Sequence, residues 1–312
     1  MEKRIPVIFD CDPGIDDALA LVVAFSLPQL DIKAVTTVAG NVSIENVTNT
    51  ARTVLGTIGA KSKIYKGAKG PLMALDVIEA PDVHGTTGIG GYSLEKDKWH
   101  PLEEMSALDA QRKILQESDE PVTIIAVGPL TNIAILLKAY PELKSKIKEF
   151  SIMGGGLYTG NHTPAGEFNI LADPEAAHIV YASGIPIIMA GLDVTHKAII
   201  YAKDLDEIKA INNPATKMMH QAIDFNLQAV KQYSDFVCMH DVCSVLVLLY
   251  PDMFKGEDLK VVVETTGRHT RGYTLADRRL RQRSKDTNCH VLMDIDRERF
   301  LNEVLKALKF YS

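Results

Sequence analysis

Four carboxylates crowd one short stretch of the chain: Asp10, Asp12, Asp16 and Asp17 fall within eight residues of the segment FDCDPGIDDALA. Pro13 and Gly14 keep the loop tight. Two ionised carboxylates ~5 Å apart repel by about 3 kcal/mol at an effective dielectric of about 20. Several such pairs coexist only if some carboxyls hold protons or a cation binds among them. An all-oxygen donor set suits Ca²⁺ or Mg²⁺ rather than zinc. Three other readings stay open on these residues alone. Asp16 or Asp17 caps the helix that starts there, because acids favour a helix N-terminus. An EF-hand loop fits badly, since no acidic or amide residue stands directly before Gly14 and the closing Glu position falls on Leu21. A strand-end Asp-x-Asp pair, Asp10 and Asp12, would transfer phosphoryl groups through an aspartyl phosphate, which leaves Asp16 and Asp17 without a role.

Further along, His240 directly precedes Asp241, His84 lies in Val83-His84-Gly85, and Asn161, Glu167 and Asn169 are spaced as G-N-x5-E-F-N. Imidazoles suit proton transfer near neutrality. On their own, the polar residues at 161–169 read equally as an ordinary surface loop. The glycines at 154–156 lack the Lys-Ser/Thr that a phosphate-binding loop requires, because Leu157 and Tyr158 follow them. They are read as allowing close approach of backbone to substrate.

The elements that must position these residues are legible as an alternation. Nearly continuous apolar runs at 6–9, 32–38, 122–127, 150–153 and 186–190 read as strands covered on both faces. Between them, Val47, Ala51, Val54, Leu55 and Ile58 form a helical stripe. Ser106-Ala107-Leu108-Asp109 reads as a capping box, and Asp173-Pro174-Glu175 as an N-cap followed by Pro at N1. Residues 203–250 read as mostly helical. Strand-like pieces follow at 261–264 and 290–294, then a closing helix from about Arg297. The expected class is α/β, with a mainly parallel central sheet flanked by helices and extra helical and small antiparallel elements in the C-terminal part. Without an internal repeat or a low-complexity linker, residues 1–312 are expected to form one domain. Ligands of such sheets bind outside the carboxyl ends of the strands. Asp12 with Asp16 and Asp17, Gly40-Asn41, Gly128-Pro129, the glycines at 154–156 and Gly191 with Asp193 all follow predicted strands, so one pocket assembled from many loops is expected.

Composition narrows the function classes. The chain of 312 residues is 46% hydrophobic and 24% charged, with a net charge of −6. This excludes a disordered chain and disfavours a general binder of nucleic acid or membrane surfaces, both of which want a basic face. The basic run RRLRQR at 278–283 reads as a solvated surface. The apolar stretch at residues 5–9 is too short for a signal peptide, and no run approaches a membrane span. Cys11, Cys238, Cys243 and Cys289 show no zinc spacing. A cytoplasmic protein with reduced thiols is expected.

Several further motifs occur in a fixed order: TTVAGN at 36–41, VHGTTGIGGY at 83–92, VGPLTN at 127–132, IMGGG at 152–156, GNHTPAGEFNILADPEAA at 160–177, GLDVTHKA at 191–198 and MHDVCSV at 239–245. Together with DCDPGIDDALA they resemble the nucleoside hydrolases, the inosine–uridine-preferring ribohydrolase family, across most of residues 5–250. The likeness is greatest to the non-specific bacterial ribonucleoside hydrolases. It implies a Rossmann-like nucleoside hydrolase fold and hydrolysis of the N-glycosidic bond of purine and pyrimidine ribonucleosides to ribose and free base. It also implies Ca²⁺ as cofactor, a homo-oligomer (dimer or tetramer) and a place in nucleoside salvage.

The resemblance assigns roles. Asp12 is the general base and a metal ligand, with Asp17, the backbone carbonyl of Val127 and Asp241 completing the ion's protein ligands. Asp10 orients its neighbours. Asp16 and Asn41 hold the 2′ side of the ribose, Asn169 and Asp241 the 3′-hydroxyl, and Asn161 and Glu167 the 5′-hydroxyl. His240 protonates the leaving base, and His84 lies beside that base. The stretch at 221–233, with Phe225, Gln228, Gln232 and Tyr233, is where the family presents groups to the base, and the pattern departs from the family there. After Gly267 no catalytic role is expected. Two competing readings are an Asp-x-Asp phosphatase and a non-catalytic nucleoside or sugar sensor. A sensor has no need of both Asp12 and His240.

Overall fold

The computed structural model describes residues 4–74, 77–279, 281 and 284–312. Strand β1 (Ile5–Cys11) leads into helix α1 (Ile15–Ser26), and β2 (Leu30–Thr37) into α2 (Ile44–Ile58) and β3 (Lys63–Lys66). After the short α3 (Pro81–His84) come α4 (Ala107–Glu117), β4 (Val122–Ala126), α5 (Thr131–Ala139) and β5 (Ile147–Met153). Helices α6 (Phe168–Ala172) and α7 (Pro174–Tyr181) precede β6 (Ile187–Ala190). Then follow α8 (Leu192–Thr195), β7 (Ile199–Tyr201), α9 (Leu205–Ile211), α10 (Pro214–Val230), β8 (Phe236–Cys238) and α11 (Val242–Leu246). Strands β9 (Phe254–Leu259), β10 (Val261–Val263), β11 (Thr274–Ala276) and β12 (Cys289–Ile295) and helix α12 (Arg297–Lys309) close the chain.

The principal sheet has eight strands in the order β3-β2-β1-β4-β5-β6-β12-β9. All its pairings are parallel except β12 with β9. Period-two alternation explains why its strands read as continuous apolar runs. Phe9 and Cys11 of β1 and Ile125 of β4 enter one core, while Ile8 and Ile124 enter the other. Each such side chain fully buried contributes about 1.5–3 kcal/mol. Helix α1 packs with α2, α10, α11 and α12 on one face, and α4, α5 and α7 lie on the other.

Helix boundaries follow local chemistry. Ser43 caps α2, which ends on Gly59 in the left-handed region at φ 64°. The Ser106 Oγ accepts the Asp109 N–H at 3.1 Å, and Asp173 accepts the Ala176 N–H at 3.1 Å ahead of Pro174. Both were expected. The predicted strands are all present, most of them a residue or more longer at one end. The mostly helical reading of 203–250 is corrected at β8, which pairs antiparallel with β7. Its three residues are too few to show a period. Strands β3 and β9, the two edges of the sheet, carry charged residues at exposed positions, so neither gives an apolar run. In the basic run, Arg278 pairs with Glu257 and Arg279 with Asp277, both at 2.8 Å, while Leu280, Gln282 and Arg283 lie outside the described residues. Among the described residues no helix is long and apolar enough to cross a membrane.

Candidate active site

The carboxyl ends of β1, β2, β4 and β5 open into a cleft of about 470 Å³, within the usual range for small-molecule sites. Its lining includes Asp16, Asn41, His84, Val127, Asn161, Glu167, Asn169, His240 and Asp241, nine of the residues singled out from the sequence. Asp12 and Asp17 lie fully buried and are not part of that lining. Residues 225 positions apart, Asp16 and Asp241, thus share one cavity.

One carboxylate oxygen from each of Asp16, Asp17 and Asp241 lies within 4.8 Å of the others. Asp12 stands outside this trio, and Asp16 stands in it. Asp12 joins Asp17 through its own N–H, donated to Asp17 Oδ1 at 3.2 Å. The Asp17 Oδ2 accepts the Gly14 N–H at 2.9 Å, so Asp17 also satisfies the N-terminus of α1. Asn41 clamps the loop: its backbone N–H donates to Asp12 Oδ2 at 2.7 Å, and its Nδ2 donates to the Asp12 carbonyl at 3.0 Å and to Asp17 Oδ2 at 3.1 Å.

The electrostatics of this loop call for protons or a cation among the carboxyls. Burial, the Asp17 charge and the Asp16 charge hold the Asp12 carboxyl well above its usual range. Burial and the neighbouring Asp16, Asp17 and Asp12 do the same to Asp241. Burial and Asp16 raise Asp17 as well, and Asp17 hydrogen-bonds with Asp241. Two carboxyls in that contact need a proton or a cation between them. The Asp12 Oδ1 is buried and has no hydrogen-bond partner. An orphaned buried oxygen beside a compact all-oxygen trio fits a hard divalent cation such as Ca²⁺. The Val127 carbonyl borders the cleft and accepts from Asn169 Nδ2 at 3.1 Å.

Asp10 occupies a separate polar pocket. Its Oδ2 accepts from the Thr36 hydroxyl, from Asn132 Nδ2 at 2.9 Å and from Gln111 Nε2 at 3.1 Å. Burial pushes its carboxyl up to about 6. It ties β1 to β2, α4 and α5.

Across the cleft, Glu167 caps α6. Its Oε1 accepts the Asn169 N–H at 3.0 Å, and its Oε2 accepts those of Gly155 at 2.8 Å and Ile170 at 3.2 Å. Burial nevertheless raises its carboxyl to about 7. Gly155 makes this turn at φ 81°, where a side chain would be strained. Asn161 is exposed at the rim and accepts the Phe168 N–H at 2.9 Å.

The two imidazoles face the same cavity from different elements. His84, at the end of α3, accepts the Ile15 N–H on Nδ1 at 3.1 Å, which leaves the hydrogen of the neutral ring on Nε2. His240 lies between β8 and α11, with Nδ1 at 2.8 Å from the Thr195 hydroxyl. Burial lowers both rings to about 4, and for His240 the Asp16 charge pulls the other way. Sequence reasoning missed Thr195, His196 and Phe236. His196 sets its ring 5.9 Å from His240, and both His196 and Phe236 line the cleft. The exit of β6 was the right place to look, but the polar residue marked there, Asp193, binds the Leu157 N–H instead. In the stretch 221–233, Asn226, Val230 and Tyr233 line the cleft, whereas Phe225, Gln228 and Gln232 do not.

Residues 7–302 match the family described as inosine-uridine preferring nucleoside hydrolase. The chain is 44% identical over 315 residues to the pyrimidine-specific ribonucleoside hydrolase RihA of Escherichia coli, with 99% of each chain covered. It is 43% identical over 312 residues to the RihA of Citrobacter koseri, again with 99% of each covered. Among solved structures, the purine-preferring ribonucleoside hydrolase from Gardnerella vaginalis superimposes with a TM-score of 0.91 at 30% identity, covering 98% of both chains.

Proposed function

The chain belongs to the inosine-uridine preferring nucleoside hydrolase family and is a ribonucleoside hydrolase; from that premise we propose a Ca²⁺-dependent enzyme that prefers pyrimidine ribonucleosides. The observation that carries this reading is the convergence of Asp16, Asp17 and Asp241 within 4.8 Å at a cleft that also holds Asn41, Asn169 and Glu167. The motif resemblance implies both base classes. Two relatives at 43–44% identity, each named pyrimidine-specific, favour the narrower preference.

Cleavage of the C1′–N bond builds positive charge on the ribose, as in glycoside hydrolysis. Asp12, Asp16, Asp17, Asp241 and the Val127 carbonyl are the groups that would hold the ion. When bound, a divalent cation supplies the charge that offsets these carboxylates and lowers the pKa of water. Asp12 takes the proton of the attacking water on Oδ1, the oxygen left without a partner, while Asn41 fixes Oδ2. Asp16 and Asn41 hold the 2′-hydroxyl, Asn169 and Asp241 the 3′-hydroxyl, and Glu167 and Asn161 the 5′-hydroxyl. As the bond breaks, its electron pair passes to the base, and His240 gives that base a proton, with His84 beside it. The hydroxyl from water ends on C1′, so ribose and free base leave. We further propose a cytoplasmic homo-oligomer serving nucleoside salvage.

The test is release of reducing sugar from uridine, cytidine, inosine and adenosine, with calcium and with chelator. Preferential, chelator-sensitive cleavage of uridine and cytidine is expected. Undiminished turnover in chelator counts against the ion, and faster cleavage of inosine counts against the base preference.

A further inference from the structure

Thr195 is fully buried at the end of α8, the turn that follows β6. Its hydroxyl lies 2.8 Å from Nδ1 of His240. The surrounding backbone is fixed independently of that hydroxyl. The Thr195 N–H donates to the Gly191 carbonyl at 3.0 Å, the Ala198 N–H donates to the Thr195 carbonyl at 3.1 Å, and the Met239 N–H donates to the Ala198 carbonyl at 2.8 Å. The ladder of β7 with β8 joins the same two segments. The hydroxyl is thus not needed to hold the segments together. What it does determine is which ring nitrogen of His240 is engaged, and with it the plane of the ring.

We propose that Thr195 is a positioning residue for leaving-base protonation: its hydroxyl holds Nδ1 of His240, so that Nε2 is the nitrogen presented to the base. This rests on the reading of His240 as the proton donor. The ring acts as the imidazolium, having taken one proton from solvent, so each nitrogen carries a hydrogen and the hydroxyl accepts from Nδ1 before and after transfer. Nε2 gives its hydrogen to the base nitrogen, which receives the electron pair of the broken C1′–N bond. Nδ1 keeps its hydrogen and donates it to Thr195 Oγ1.

The test compares Thr195→Val, Thr195→Ala, Thr195→Ser, His240→Ala and the double variant Thr195→Val/His240→Ala. The substrates are uridine, whose base must be protonated, and p-nitrophenyl riboside, whose leaving group needs no proton. Thr195→Val is expected to lower kcat on uridine about ten-fold, the worth of one hydrogen bond, with KM little changed and a much smaller loss on p-nitrophenyl riboside. Thr195→Ser restores uridine turnover. Thr195→Val adds nothing once His240 is alanine, as residues acting through one another should behave. Thr195→Ala removes the hydroxyl in a smaller side chain and reads the same contrast should the valine variant not fold. Equal losses on both substrates, or wild-type uridine turnover in Thr195→Val or Thr195→Ala, overturn the inference while leaving His240 in place. Equal losses in His240→Ala remove the proton-donor reading, and the inference with it.

Discussion

Gly128→Ala tests the central role of Asp12 without touching any group that would bind substrate or metal through its side chain. Gly128 follows Val127 at the exit of β4. A Cβ built there lies 2.6 Å from Asp12 Oδ1, short of the 3.4 Å at which ordinary contact begins by about 0.8 Å. The backbone gives no reason for strain, since Gly128 lies outside the left-handed region. The carboxylate must therefore move, and it has little room. Its Oδ2 is held by the Asn41 N–H at 2.7 Å and faces Gly40 on the far side, where a Cβ would come within 2.1 Å. A misplacement approaching 1 Å in a reacting group costs on the order of 100-fold in rate, or about 3 kcal/mol of transition-state stabilisation. The assay is steady-state uridine hydrolysis beside a thermal unfolding curve. We expect kcat to fall by about 100-fold, KM to change far less, and the folded state to persist. Wild-type kcat in a folded Gly128→Ala enzyme would show that the Asp12 carboxylate takes no part in the reaction.

Three further outcomes are expected. Burial holds the carboxyls of Asp12, Asp16, Asp17 and Asp241 above their usual range, Asp17 at about 7. A raised carboxyl pKa contributes stability that is complete below the ordinary value and is lost as pH rises through the raised one. Chelated enzyme should thus lose thermal stability between pH 4 and pH 7, and calcium should flatten that decline; parallel profiles with and without calcium would count against a cation among these groups. A site built to bond the ribose 2′-hydroxyl should reject 2′-deoxyuridine by roughly 10⁴-fold in kcat/KM, and comparable turnover of uridine and deoxyuridine would remove Asp16 and Asn41 from that role. Burial raises Glu167 to about 7, and a protonated carboxyl is a poorer acceptor for the 5′-hydroxyl. The KM for uridine should rise as pH falls below 7 and should lose this dependence in Glu167→Gln; an unchanged profile in the variant would assign the dependence elsewhere.

The sheet was legible because its inner strands are buried on both faces over most of their length, so β1 and β4 read as nearly continuous apolar runs, and β5 does so from Phe150 on, after the charged Lys148 and Glu149. The polar residues directly beyond them then had to stand at one edge. That rule located Asp12 and Asn41 without any knowledge of contacts, whereas Val127, the last residue of a predicted strand, was marked only by the family resemblance. It did not reach β3, whose charged ends interrupt the run, or β9, which needs only two buried side chains at the sheet's edge. Asp241 was out of reach of strand patterning as well. It precedes α11, a helix of five residues between β8 and the turn toward β9, and only the MHDVCSV motif marked it. A three-residue strand and a five-residue helix are shorter than the windows over which hydrophobic periods can be recognised.

The same contrast separates the two halves of the cleft. Ribose presents the same hydroxyls in every ribonucleoside, and the side of the cleft proposed to hold it is made of fixed acceptors and amides on strand exits and caps. Asn41, Glu167 and Asn169 are each locked by two or more backbone hydrogen bonds. Bases differ in size and in the edge they offer, and in the proposed reading they face the part of the cleft walled by Val230, Tyr233 and Phe236, on and just beyond the end of α10. Tyr233 is 89% exposed and Asn226 is tied across the cleft by a single bond to the Val83 carbonyl at 3.1 Å. These side chains belong to neither the eight-stranded sheet nor the carboxylate trio. Base preference can therefore diverge between relatives that share a backbone, as a purine-preferring structure at a TM-score of 0.91 and pyrimidine-specific relatives at 43–44% identity illustrate. Exchanging residues 226–236 should accordingly shift the ratio of uridine to inosine turnover while leaving the calcium requirement and the discrimination against deoxyribose intact.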